Sequence, residues 1–121
     1  MAGGNLHIQT IGDVTVVNFI EASILDTGSI NSIGQQLYEL VDNQDRKKLV
    51  LDFEKVRFLS SMALGVLINL RKKSAAIKGS VALCSLRPEL FRVFKISKLD
   101  KLFKCYENEE KALNSFDVYT T

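Results

Sequence analysis

Leu6–Ile11 and Val14–Ile20 are two β-branched, largely apolar runs that bracket the polar pair Gly12 and Asp13. That spacing predicts a hairpin of two strands around a tight turn. The period then changes. Ile30, Ile33, Leu37, Leu40 and Val41 recur three and four residues apart and make one apolar stripe, which predicts a helix over Ser29 to Asp42. Asp26, Thr27 and Ser29 are its N-cap candidates. Leu49–Phe53 is a compact apolar run of the kind found in a central strand. A second helix is expected over Ser61 to Ile77, stopping at Gly79 as its C′ residue. Val81–Cys84 reads as a buried strand. Pro88 opens a third helix, in the first turn where its missing N–H costs nothing. Leu102–Tyr106 and Glu109–Phe116 supply a last strand and a short last helix, while Glu21–Gly28 and Glu54–Leu59 read as connecting loops. The order predicts a single α/β domain over residues 1–121. An N-terminal β-hairpin is followed by alternating strands and helices, hence a mixed, mostly parallel sheet with helices packed on it.

Composition narrows the function classes. A chain of 121 residues removes roughly two-thirds of its unfolded surface from water and needs neither disulfide nor metal to fold. A net charge of +2 does not by itself point to nucleic acid or a membrane surface. Arg87, Arg92, Lys95, Lys98, Lys101 and Lys104 do gather late in the chain. Glu89 and Asp100 dilute them, and no aromatic-basic recognition motif accompanies them, so they read as a solvated face. The longest strongly apolar stretch, Met62–Leu70, is far short of the ~20 residues of a membrane span. Residues 1–5 carry no basic region leading into a long apolar run, which argues against a secretory leader. Cys84 and Cys105 lie in apolar-alternating runs without a Cys-x-x-Cys and read as buried, reduced thiols of a cytoplasmic protein.

Catalytic groupings are sparse. His7, the only histidine, alternates with Leu6 and Ile8 and reads as a surface strand residue. No phosphate-cradling glycine motif is present, and metal sites lack clustered histidines or thiols. Asp52 and Glu54 follow a strand two residues apart and read as a solvated carboxylate pair. No catalytic residue, metal or cofactor is therefore expected.

Two serines, Ser60 and Ser61, fall where the second helix begins. One reading is purely structural: Ser60 caps the helix by accepting an orphan backbone N–H. The other uses the same place. A helix N-terminus is positively polarised and tolerates a phosphoserine, whose added charge of about −1.5 to −2 would disturb a partner docked beside it. On the helix that follows, Ala63, Leu64, Leu67, Ile68 and Leu70 turn to the sheet, while Met62, Val66, Asn69 and Lys73 fall on the opposite face. Met62 and Val66 are then either an apolar docking surface beside the serines or are covered by another helix.

The stretch Phe58–Val66 resembles the motif of the STAS family, in which a strand and a short loop lead to Asp-Ser-Ser/Thr-Gly-Leu-Gly at a helix start. Ser60 stands at the motif Asp, Ser61 at the phosphorylated serine, Met62 at the second hydroxyl residue and Ala63 at the glycine; Leu64 and Gly65 match. Ser23–Asp26 is similar to the family's Gly-x-Leu-Asp loop, and Lys98 stands where the family usually has glycine. The resemblance implies a STAS-type fold and a bacterial anti-anti-sigma factor. Its unphosphorylated form would bind a serine kinase/anti-sigma factor, phosphorylation at Ser61 would end binding, and a phosphatase would restore it. Ser60, Asp26 and Met62 would surround the switch; Met62, Val66 and Asn69 would meet the partner. The domain itself would carry no cofactor. The alternative is an unphosphorylated STAS scaffold, or a subunit of a signalling or lipid-transport assembly.

Overall fold

The computed structural model describes residues 6–119; the segment read as lacking a leader, 1–5, lies outside them. Strand β1 (Leu6–Ile11) pairs antiparallel with β2 (Val14–Phe19), so the hairpin forms as the two β-branched runs around Gly12 and Asp13 predict. Gly12 takes the left-handed conformation (φ +63°) that this turn demands. After a two-residue strand β3 (Ser23–Ile24) comes helix α1 (Thr27–Asp42). It starts two residues before the expected Ser29, because Asp26 is the N-cap and accepts from the Ser29 N–H at 2.9 Å. Strand β4 (Lys48–Asp52) and a second two-residue strand, β5 (Phe58–Leu59), lead to helix α2 (Ser61–Ala76). Then follow β6 (Ser80–Cys84), α3 (Pro88–Ile96), a 3-10 turn (Leu99–Lys101), β7 (Lys104–Tyr106) and α4 (Glu109–Asn114). The last strand is shorter than expected because the 3-10 turn occupies the residues before it.

The main sheet has the order β1-β2-β4-β6-β7, and every pairing after the hairpin is parallel. One face carries the larger core: Val17, Leu49, Leu51 and Leu83 from the strands meet Ile30, Leu37, Leu67 and Leu70 of α1 and α2, and Phe94 of α3. Val14, Val16, Val50, Ala82 and Cys84 alternate to the other face, under Ala112 and Leu113 of α4. β2 and β4 are thus buried on both faces, which is why both read as continuous β-branched or apolar runs.

Glycine chemistry corrects the expected end of α2. The left-handed residue is Lys78 (φ 60°), not Gly79. Gly79 is needed for a different reason: a Cβ there would lie 2.6 Å from the Lys47 carbonyl oxygen and 2.7 Å from Ser74 Oγ. Lys98, at the family's glycine position, also sits at φ 61°. Left-handed backbone crowds a Cβ against its carbonyl, so Lys98→Gly should stabilise the fold by about 0.5–1 kcal/mol, even after the glycine's extra chain entropy. A thermal melt checks this; a lower melting temperature would refute it.

Candidate functional site

The site grows out of two loops that the sequence alone reads as irregular. β3 and β5 pair in parallel, Ser23 with Phe58 and Ile24 with Leu59. The Ala22 carbonyl accepts from the N–H groups of Arg57 (2.7 Å) and Phe58 (3.2 Å), and the Ile24 carbonyl accepts from Ser60 N–H (3.1 Å). Ile24 is buried in the core and Leu59 packs against it, which anchors the ribbon from beneath. The chain then leaves the ribbon twice in the same direction. Asp26 lies two residues past Ile24 and caps α1; Ser61 lies two residues past Leu59 and is the first residue of α2. The paired loops therefore bring the mouths of two sixteen-residue helices to one end of the molecule.

Ser60 is the N-cap of α2, and its Oγ accepts from the Ala63 N–H at 3.2 Å. Ser61 is exposed, and α2 has no acidic residue in its first turn to offset the positive end of its dipole. Neither the Ser61 nor the Met62 N–H is taken by another backbone group among the described residues, whereas Leu64 N–H is held by the Ser60 carbonyl (3.1 Å). Around this mouth three large apolar side chains are left in water: Leu25 (56% exposed), Phe58 (57%) and Met62 (46%). The ribbon explains the first two. Its alternation sends Ile24 and Leu59 inward, so Leu25 and Phe58 turn out. Sequence reasoning missed both, since two-residue strands carry no readable period. Met62 and Asn69 stay exposed as expected. Val66 does not: α1 partly covers it, with Val66 against Gly34 and its carbonyl accepting from Tyr38 Oη at 3.4 Å. Gly34 leaves room for that approach, so for Val66 the alternative of cover by another helix is the one that holds.

A second grouping sits at the carboxyl ends of the central strands, where Asn18, Asp52 and Cys84 stand in register. The reading of Asp52 and Glu54 as a solvated pair is corrected here. Asp52 is buried, accepts from Glu54 N–H at 2.8 Å, and shares a proton with Glu109, the first residue of α4. Burial pushes Asp52 up to about 7, and the neighbouring Glu109 carboxylate pushes the same way. Glu109 is held below its usual range, first by the Asp52 hydroxyl donating to it and then by Asn18 Nδ2, which donates at 2.9 Å. Burial also pushes the thiols up, Cys84 to about 12 and Cys105 to about 11, so both stay protonated and unreactive at neutral pH. His7 is exposed on β1. Among the described residues no three His, Cys, Asp or Glu side chains are placed to hold a metal ion, and no helix is long and apolar enough to cross a membrane.

The carboxyl pair predicts a pH dependence. A folded Asp52 near 7 keeps a proton that the unfolded chain releases near 3.8. The stability it contributes is complete below 3.8 and is lost as pH rises towards 7. Glu109 acts in the opposite sense, but below its ordinary 4.5. Between these ranges Asp52 governs the slope. Asp52→Asn donates to Glu109 without a titrating proton, so its urea midpoint should stay level between about pH 5 and 8 while that of the parent falls. Parallel profiles for the two proteins would contradict the pair.

A hairpin feeding a parallel sheet, helices on both faces and two helix mouths tied by a short parallel ribbon define an α/β domain of the STAS class. The STAS domain family model matches residues 5–112, and the chain belongs to that family. It is 28% identical over 94 residues to the anti-sigma F factor antagonist of Paenibacillus polymyxa, covering 78% of this chain and 80% of that one. The crystal structure of an anti-sigma factor antagonist from Mycobacterium paratuberculosis superposes with a TM-score of 0.80 at 24% identity, over 91% of each chain. The Bacillus cell fate determinant SpoIIAA in its phosphorylated form superposes with a TM-score of 0.73 at 16% identity, over 92% of this chain and 98% of that one. At such identities the two structures speak for the fold alone.

Proposed function

We propose that this protein is an anti-sigma factor antagonist of the cytoplasm, a regulatory protein that binds its partner at the paired helix mouths and is switched by phosphorylation of Ser61. The partner is a protein serine kinase that also serves as the anti-sigma factor, and a phosphatase reverses the modification. One observation carries the reading: an exposed Ser61 at the positive end of α2, with Leu25, Phe58 and Met62 exposed on the ribbon and first turn that lead into it. Apolar side chains held in water beside a polar rim favour a docking surface. A phosphate there would gain the helix dipole and nearby amides, so the fold would tolerate it. The same charge would stand among side chains that a partner must desolvate, and docking would fail. Asp26, two residues past the ribbon on the other loop, adds like charge on the same side. The family relationship and the relatives' function as anti-sigma factor antagonists support the reading.

The test is phosphate mass on the protein isolated from its host, mapped by peptide. Phosphate on Ser61 is expected, removable by a serine phosphatase. Unmodified protein that still binds its partner would favour a permanent scaffold, and phosphate confined to Ser60 would displace the switch by one residue.

A further inference from the structure

We propose that the groove along the outer edge of β7 is a second docking surface, built to take an extended acidic segment of a partner protein. It lies away from the paired helix mouths and does not depend on the function proposed for them. The sheet ends at β7, which is three residues long against five in β6. Ser85 N–H donates to the Tyr106 carbonyl at 3.1 Å, so Tyr106 and, by alternation, Lys104 face β6. Cys105 between them turns its N–H and carbonyl outward, to an edge where no further strand of the described chain pairs. An edge of this kind accepts a strand from another chain.

The surroundings say which kind of strand. An open groove of about 640 Å³ runs along this edge, lined by Arg71, Phe91, Lys101, Leu102, Lys104 and Tyr106, with Asp100 its only acid. A second depression of about 420 Å³ continues past the start of β7 and shares Arg71, Leu102, Lys104 and Tyr106 with the first. Arg71 Nε donates to the Leu102 carbonyl at 2.8 Å, which fixes the guanidinium where the two depressions meet. Among the described residues Lys101 and Lys104 form no ion pair, while Leu102 is 40% exposed. The charge is regional. Residues 87–106 hold six cations against two acids, in a chain whose net charge is only +2. Unpaired lysines around an exposed leucine favour carboxylates alternating with small apolar side chains, at the two-residue period of a strand. The outward N–H and carbonyl of Cys105 give a peptide backbone both an acceptor and a donor, which a bilayer surface does not return. Arg71 is ten residues along α2 from Ser61, ~15 Å of helix, so both surfaces can be occupied together.

The test uses the full chain, labelled with nitrogen-15, and a blocked peptide alternating glutamate and valine (acetyl-Glu-Val-Glu-Val-Glu-amide). Saturable shifts are expected at Arg71 and across Leu102–Tyr106, with about tenfold slower exchange of the Cys105 amide. The exposed pair Lys101→Glu and Lys104→Glu together should weaken binding at least about tenfold at an unchanged melting temperature. Cys105→Pro removes the outward donor; if that variant unfolds, the charge variants still decide. Equal binding by the double variant overturns the proposal, as do shifts confined to the Ser61 end. Binding to phosphatidylglycerol vesicles with none to the peptide overturns it in favour of a membrane surface.

Discussion

Ser61→Asp should abolish binding of the anti-sigma partner, at least about a hundredfold in affinity, while the melting temperature stays within a few degrees of the parent. Two physical effects act in opposite directions at this residue. Within the domain, a carboxylate in the first turn of α2 meets the unopposed positive end of the helix dipole, worth about 0.3–1 kcal/mol in favour of folding. Across the interface, the same charge must be desolvated against Leu25, Phe58 and Met62, and an unpaired buried charge costs several kcal/mol. Folding and docking thus separate, and only docking should suffer. Ser61→Ala should bind constitutively. Met62→Glu should weaken docking without loss of fold, because Met62 is half-exposed at the rim. Titration calorimetry with the purified partner reads all three variants. Parental affinity in Ser61→Asp would remove the switch.

Gly79→Ala should cost about 2–3 kcal/mol, a large effect for one methyl group. The added Cβ would lie 2.6 Å from the Lys47 carbonyl oxygen and 2.7 Å from Ser74 Oγ. The serine could be shortened; the carbonyl cannot easily move. It accepts from the Ser80 N–H at 2.7 Å, the contact that starts β6 against β4. Gly79 N–H itself donates to the Ser74 carbonyl at 2.8 Å and closes the end of α2. Chemical denaturation should therefore show the loss in Gly79→Ala and again in the double variant with Ser74→Ala. Full recovery in the double variant would mean that the hydroxyl, not the backbone, sets the constraint. Ser74→Ala alone should be neutral or stabilising, since Ser74 Oγ is buried without a hydrogen-bond partner.

Much of this architecture is legible in the residues, and the exceptions have a common cause. Elements with a full period announce themselves. The stripe Ile30, Ile33, Leu37, Leu40 and Val41 is buried as the α1 pattern demands, and the β-branched run of β2 is buried on both faces. What stayed hidden depends on contacts between distant segments. Two-residue strands have no period, so the β3 and β5 pairing was invisible, and with it the outward turn of Leu25 and Phe58. Asp52 reads as a strand-end carboxylate; only the arrival of Glu109 from α4, 57 positions later, makes it a proton-sharing pair. Val66 leaves two readings open along α2, exposed or covered by a helix, and only the gap that Gly34 of α1 leaves for it decides between them. Gly79 differs in another way: a glycine after a helix suggests backbone freedom, but here it is required for lack of a side chain.

The ribbon joining the two loops has a kinetic meaning for recognition. Loops that wander must be ordered by whoever binds them, and that ordering subtracts from affinity. Here the Ala22 and Ile24 carbonyls already hold the segments before Ser61, and Ile24 nails them to the interior. A partner docking there would meet a prearranged epitope whose two halves are hydrogen-bonded to each other. Complex formation should proceed close to lock-and-key, with differences among variants showing up in how long the complex lasts rather than in how fast it assembles.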